Sequence, residues 1–308
     1  MATQIGSVAL PNPILTASGT SGHGAELAPY LDVSSLGAVV VKSLAATPWE
    51  GNPARRVRET SGGMLNSVGL QGPGVVRWLE DDLPALLAAG ARVVASIWGR
   101  SVAEYAAAAE LLAEAPDDVV AVEVNLSCPN TEAARDLFAH STEATEAAMR
   151  VTEACGRPRW AKLSPNVTDL VPIAEAALRG GAEAVTLVNT VMGMAIDPDD
   201  GSYGLGSGAR GGGLSGPAIH PIAVRAVHDV HAALPDLPIV GVGGVASGRD
   251  AAELLVAGAS AVQVGTATFA DPRASARVLH ELQTWLAGRP GRPSITDIVG
   301  SAHRREPA

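Results

Sequence analysis

The sequence predicts a (β/α)8 barrel with long strand-to-helix loops at its C-terminal mouth. Eight short β-branched runs recur along the chain, each leading through a turn into an alanine-rich stretch with helical spacing. The runs are apolar almost throughout, as a parallel sheet covered on both faces requires. At 308 residues and 47% hydrophobic composition, the chain can bury a core of that size. A doubly wound open sheet would share the alternation and is the competing fold.

Taken in order, Ile14–Ser18 runs into Gly19, Ala38–Lys42 into Ser43, and Arg92–Ile97 into Gly99. Val119–Asn125 is followed by Ser127 and Trp160–Leu163 by Ser164-Pro-Asn166. Ala184–Asn189 meets a glycine-rich stretch, Pro238–Val242 meets Gly243–Gly244, and Ala261–Val264 meets Gly265–Thr266. Helices are expected at Val102–Ala115, Glu143–Cys155, Asp169–Gly180, Pro217–Leu234, Arg249–Ala257 and Arg273–Ala287. Gly180 and Gly258 are natural stops. Ser43–Arg77 and Thr190–Pro217 are long, glycine-rich connections that follow strands, so they belong at the mouth as lids or binding loops. No internal repeat or second domain is visible. A single domain over 1–308 is expected, with a short tail from about residue 288.

Thirty-two acidic against 22 basic residues give a net charge of −10, which argues against a nucleic-acid-binding surface and against attachment to anionic lipid. The two cysteines, Cys128 and Cys155, allow no disulfide framework and suggest a reducing compartment. No Lys or Arg precedes Lys42, so a secretory signal is not expected, and the apolar runs are too short to cross a bilayer. A cytoplasmic protein, without membrane attachment, is the expectation.

In such barrels the chemistry sits at the C-terminal strand ends. Those ends offer Ser18, Lys42, Ser96, Asn125, Cys128, Lys162, Asn189, Gly243–Gly244 and Gly265–Thr266. Glycines after the seventh and eighth strands let backbone N–H groups approach an anion at a helix start, which points to a phosphate-bearing ligand. Tight turns without a ligand would use the same glycines. In Asn125-Leu-Ser-Cys128-Pro-Asn130 the thiol is a base or nucleophile if its pKa is tuned, and the asparagines suit a planar polar ligand. A lone cysteine is more often a small buried hydrophobe, and Cys155, ending an alanine-rich helix, reads that way. His228 and His231 belong to the outer ring. No metal-ligand spacing appears, and no GxGxxG fingerprint supports direct dinucleotide binding.

Together the motifs resemble the class 1 dihydroorotate dehydrogenases. The resemblance rests on Ala17-Ser18-Gly-Thr20, Val41-Lys42-Ser43, Glu50-Gly-Asn-Pro53, Gly63 to Gly74, Asn125 to Asn130 and Lys162-Leu-Ser-Pro-Asn166. It continues through Asn189-Thr190, Gly193-Met-Ala-Ile196, Gly213-Leu-Ser-Gly-Pro-Ala218, Gly243-Gly244 and Gln263-Val-Gly-Thr266, unbroken from Asn12 to about Phe269. Asn189-Thr190, Gly193 to Ile196 and the Asn66–Leu70 loop look most like the 1B subclass. That subclass pairs with an iron–sulfur flavoprotein subunit and passes electrons to NAD.

The resemblance implies FMN as cofactor, its phosphate held by Gly216, Gly243, Gly244, Gly265 and Thr266. It places Ser18, Lys42, Ser43, Asn125, Lys162 and Val188 along the flavin. Dihydroorotate would be bound by Lys42, Asn66, Ser67, Val68, Gly69, Leu70, Asn125, Asn130, Asn189 and Thr190. Cys128 would be the general base and Lys42 a second catalytic group. No metal is implied, and FAD and a [2Fe–2S] cluster would lie only on a partner subunit. A homodimer is expected, or a heterotetramer with that subunit. Two features depart from the family pattern. Ser96 stands where an asparagine usually contacts FMN, beside the bulky Trp98, and the 131–140 stretch lacks the usual glycines and favours helix. A paralogue acting on another dihydropyrimidine or cyclic amide is the alternative activity. A phosphosugar aldolase or isomerase with a Lys162 Schiff base is the alternative class, but it leaves Cys128 without a task.

Overall fold

The computed structural model describes residues 1–127 and 138–304. Its main sheet comprises β1 (Ile14–Thr16), β2 (Val39–Val40), β3 (Val93–Ile97), β4 (Val119–Asn125), β5 (Arg159–Lys162), β6 (Ala184–Leu187), β7 (Ile239–Val242) and β8 (Ala261–Val264). These strands are parallel and ordered β1-β8-β7-β6-β5-β4-β3-β2. The two ends meet. Gly37 N–H donates to the Ile14 carbonyl at 2.8 Å and Thr16 N–H to the Ala38 carbonyl at 3.3 Å. The sheet therefore closes into a (β/α)8 barrel, and the open-sheet alternative falls.

All eight predicted strands are present. β2 is shorter than its apolar run because the Lys42 N–H turns to the Gly22 carbonyl, 2.9 Å away in the first loop. The predicted helices appear as Val102–Leu112, Thr142–Val151, Val171–Arg179, His220–Ala233, Gly248–Ala257 and Ala274–Ala287. Ser101, Ser141 and Ser247 cap three of them by accepting from a backbone N–H in the first turn. The fourth-loop helix stops at Val151 rather than Cys155. There the Thr152 hydroxyl donates to the Met149 carbonyl at 2.7 Å, and the chain tightens into a 3-10 turn. The sequence reading also missed a helix after β2, at Val75–Arg77 and Leu83–Ala88, joined by a wider π-type turn over Trp78–Asp82. Pro84 explains both the miss and the turn. It lacks an N–H, and its ring displaces the carbonyl one turn back.

Side chains two apart on a strand share a face. The outward row, including Val39, Val93, Val122, Ala161, Val185, Ile239 and Val262, is buried against the helices. The inward row begins with an apolar floor of Leu15, Val40, Val94, Ala121, Trp160, Ala184, Val240 and Ala261. An N-terminal hairpin, Thr3–Ile5 and Val8–Leu10, packs Ile5, Val8 and Leu10 against that floor.

The two long connections, expected from sequence as lids or binding loops at the mouth, contain strands of their own. Strands Val57–Thr60 and Gly63–Asn66 from the first, and Val191–Gly193 and Gly212–Ser215 from the second, form one four-stranded antiparallel sheet. The row Met192, Gly213, Asn66 and Val57 crosses it in register. Beyond residue 288 a short helix, Ile295–Ile298, and a turn, Ser301–Arg304, fold back onto the barrel. Gly300 N–H donates to the Leu255 carbonyl at 3.0 Å, and the His303 ring stacks on His228 with centroids 4.2 Å apart. No helix among the described residues is long and apolar enough to cross a membrane.

The closure between β1 and β2 depends on Gly37, where an added Cβ would run into the Asn12 carbonyl and sit 3.1 Å from that of Ile14. Both obstacles are backbone and cannot rotate away. Gly37→Ala should therefore destabilise the protein by about 1–3 kcal/mol, the usual range for overpacking. Denaturant unfolding of both proteins measures it, and an unchanged midpoint would mean the seam tolerates separation.

Candidate active site

One pleat above the apolar floor, the inward row turns polar. Ser96 on β3, Glu123 on β4, Lys162 on β5, Thr186 on β6 and Gln263 on β8 each stand two residues beyond a floor residue, and all are buried. The Lys162 ammonium donates to Ser18 Oγ at 3.1 Å, Gln263 Oε1 at 3.3 Å and Glu123 Oε1 at 3.4 Å. The other Glu123 oxygen accepts from Gln263 Nε2 at 2.6 Å and Thr186 Oγ1 at 3.1 Å. A buried ion pair survives only when its remaining polar positions are bonded, and here they are. A lysine enclosed by three acceptors is not presented as a free amine for a Schiff base, which removes the aldolase reading.

Above this layer lies a cavity of about 1230 Å3. Asn125, from the end of β4, donates its amide N–H to Ser43 Oγ at 3.2 Å and accepts from the Asn189 amide at 3.2 Å. Ser43 and Ser96 share a hydroxyl contact of 2.8 Å. The fully buried Ser96 is therefore committed to Ser43. Trp98, two residues further, packs edge-on against Trp49 of the first loop, with ring centroids 6.0 Å apart, and the Arg100 guanidinium covers the other ring at 4.4 Å.

The first long loop forms the roof. Asn66 donates to the Gly213 carbonyl at 3.2 Å across the antiparallel sheet. Asn52 bonds the Val68 and Ser67 carbonyls, each at 3.0 Å, and the Trp49 indole donates to that of Gly69 at 2.9 Å. With those carbonyls anchored, the amides of Val68, Gly69 and Leu70 bond no other described residue. Leu70 holds φ at 62°, a left-handed conformation that costs a branched residue about 1–3 kcal/mol. Lys42 projects from the end of β2. Burial, then the nearby Arg56, holds its pKa below the usual lysine value. His23 beside it is likewise lowered, by burial first and then by Lys42.

At the far end Gly216, Gly243 and Gly244 have φ of 98°, 138° and 68°, in the region that favours glycine. A Cβ on Gly244 would stand 2.7 Å from His220 Cβ and 2.9 Å from the Gly216 carbonyl, so the backbone strands lie bare there. Gly265 and Thr266 complete this wall, with Thr266 Oγ1 donating to Ser215 Oγ at 2.8 Å, and the His220–Ala233 helix starts beside it. Such a cradle suits a phosphate. The cavity exceeds the ~300–1,000 Å3 of ordinary small-ligand sites, enough for a phosphate-bearing cofactor and a small substrate together. The residues present fit FMN.

Ser18, Lys42, Ser43, Asn66, Ser67, Val68, Gly69, Leu70, Asn125, Lys162, Val188, Asn189, Thr190, Gly216, Gly243, Gly244, Gly265 and Thr266 all line this one cavity. Cys128, Asn130 and the departing stretch as far as 137 lie outside the described residues. Glu123, Thr186 and Gln263 were missed from sequence. Their signal was a polar residue at an inward, period-two position of an apolar run. Among the described residues no cluster of His, Cys, Asp or Glu is placed to hold a metal ion.

The comparisons with known proteins agree with one another. A family model described as dihydroorotate dehydrogenase matches residues 1–286. The chain is 46% identical over 290 residues to a protein of Alkaliphilus metalliredigens named dihydroorotate dehydrogenase B (NAD(+)), catalytic subunit, covering 93% of each chain. It is 47% identical over 304 residues to the protein of the same name from Desulforudis audaxviator, covering 98% of this chain and 97% of the relative. For the one from Geobacter sulfurreducens the identity is 41% over 302 residues, with the same coverage.

A lysine whose pKa is depressed on folding binds fewer protons than in the unfolded chain. Stability therefore rises with pH through the alkaline window just below the ordinary lysine value. Lys42→Met removes that partly buried charge, so the ligand-free variant should melt higher than wild type at neutral pH and lose this alkaline gain. A lower melting temperature at neutral pH would mean the charge is compensated in the folded protein.

Proposed function

The chain belongs to the dihydroorotate dehydrogenase family, and on that premise we propose that it is an FMN-dependent catalytic subunit oxidising (S)-dihydroorotate to orotate in pyrimidine biosynthesis. The observation that carries this reading is one continuous cavity. It has a bare-backbone glycine cradle at one end, a buried lysine in the middle and the amides of Asn66, Asn125 and Asn189 at the other.

Gly216, Gly243, Gly244, Gly265 and Thr266 would hold the FMN phosphate, while Ser18, Lys42, Ser43, Asn125, Lys162 and Val188 border its ring. Bound there, FMN supplies the acceptor for the hydride that leaves C6 of the substrate. The protein's own part is positioning and proton removal. Asn66, Asn125, Asn130 and Asn189 give amide donors and acceptors matched to the ring of dihydroorotate. Lys42, Thr190 and the unbonded amides of Val68–Leu70 answer its carboxylate. The cation beside Lys42 makes that end attractive to an anion. Cys128 takes the C5 proton as its thiolate, so C5 and C6 lose one proton and one hydride and become doubly bonded. The roof from the first loop shields the transfer from water.

The relatives carry the words catalytic subunit in their names. In keeping with that, we place this chain in a homodimer that joins an iron–sulfur flavoprotein partner, carrying FAD and [2Fe–2S], which delivers the electrons to NAD. The assembly would be cytoplasmic.

Purified protein should show a flavin spectrum that bleaches anaerobically with L-dihydroorotate. A colourless protein that takes up no FMN would overturn the proposal. Bleaching by another dihydropyrimidine alone would instead assign the paralogue activity. Cys128→Ala should keep FMN bound and slow single-turnover reduction by about 10²–10⁴-fold, the usual effect of losing a positioned base. Equal rates would clear Cys128 of that role.

A further inference from the structure

We propose that Glu123 is a positioning residue that fixes Lys162 from beneath and offsets its charge, thereby holding down the reduction potential of the flavin. The inference rests on the flavin reading above and deepens it.

Glu123 stands on β4 between Ala121 in the apolar floor and Asn125 at the cavity wall, and it is fully buried. It does not line the cavity, whereas Lys162 and Ser18 do. It therefore touches no ligand and acts in two ways, by holding Lys162 in place and by its charge from behind that ammonium. A charge in this position is not needed for packing. On β7 the same inward row is filled by Val242, and an apolar residue there avoids the desolvation a buried carboxylate suffers.

The hydrogen bonds define the arrangement. Lys162 has three ammonium protons and three acceptors: Ser18, Gln263 and Glu123. Of these only the Ser18 hydroxyl faces the cavity, so a ligand can exchange with that bond alone while the other two hold the ammonium from below. The Gln263 amide is oriented from both sides, its Nε2 donating to Glu123 at 2.6 Å and its Oε1 accepting from Lys162 at 3.3 Å. Thr186 adds a third donor to the carboxylate at 3.1 Å. Every partner of Glu123 is a donor, which suits the charged form.

The cavity therefore meets a dipole rather than a bare cation, with the ammonium nearer and the carboxylate behind. Reduction places negative charge on the flavin. Lys162 stabilises that charge and Glu123 opposes it, with little solvent between to screen either. Loss of the two residues must move the potential in opposite directions.

The test is spectroelectrochemical titration of purified, FMN-loaded protein, with FMN affinity measured alongside. Glu123→Gln should favour reduced over oxidised flavin by at least about tenfold, a rise of about 30 mV for a two-electron couple. Lys162→Ala should lower the potential. Glu123→Asp, which restores the charge, should return it towards wild type. A purely structural Glu123 predicts weaker FMN binding without that rise. A potential unchanged or lowered in Glu123→Gln, with flavin still bound, overturns this inference and leaves the flavin reading standing. If Glu123→Gln does not fold, Thr186→Val, nearly the same in shape, withdraws one donor from the carboxylate, leaves its charge less offset and should lower the potential. No change there overturns the inference equally. Wild-type protein that binds no flavin overturns both.

Discussion

The pleat of a closed eight-stranded barrel governs this molecule. Every second side chain points into an interior only wide enough for side chains, and the alternate ones meet the helices. From Ala121 to Glu123 to Asn125 on β4, one inward row passes from dry floor through buried network to cavity wall. The same steps recur from Trp160 to Lys162 and from Ala184 to Thr186. The middle layer has no solvent to fall back on. Its members must satisfy one another, and removing any one strands a buried polar partner. The rigidity that results lets Lys162 present its ammonium to the cavity in one place.

The roof is built by the opposite device. Two loops distant in sequence complete each other as a sheet, and Gly213 sits at the crossing. Its carbonyl accepts from Asn66, and a side chain there would run into that of Thr190. A glycine strand lets Asn66 and Thr190, from different loops, line one cavity, where a longer side chain would keep them apart. Trp49 ties the same roof to the barrel rim, bonding the Gly69 carbonyl at 2.9 Å and packing on Trp98. The floor is held by burial, and the roof by contacts that a moving loop could release.

This contrast also explains what was legible in the amino-acid sequence. The strands were readable because parallel, doubly covered strands are written as apolar runs, and the mouth residues because the runs end in glycine, asparagine and lysine. Glu123, Thr186 and Gln263 were obscured by their location inside such runs, where each looks like an interruption rather than a site. The antiparallel sheet was hidden for another reason: Asn66 and Gly213 are 147 positions apart, and no local pattern announces so distant a partner. The wider turn at Trp78–Asp82 followed from a single residue, Pro84, in a stretch to which the sequence reading gave no element.

Charge distribution draws these parts together. The chain carries a net −10, yet its cavity is lined by Lys42, Lys162, Arg100 and Arg210, and Arg56 lies close enough to depress Lys42. A cationic mouth in an acidic protein focuses an anionic ligand towards one opening and repels it elsewhere. Burial first, and then the like charge of Arg56, holds the Lys42 pKa down, and the left-handed Leu70 adds strain in the same roof. Lys162 is fully enclosed and pairs with Glu123, whereas Lys42 is partly exposed at the cavity wall with Arg56 nearby. One lysine is thus fixed and offset within the barrel, and the other stands at the wall of the cavity. The same barrel thus carries one cation whose charge is balanced from beneath and another whose charge faces the cavity beside further cations, and it is the second that gives the mouth its positive field.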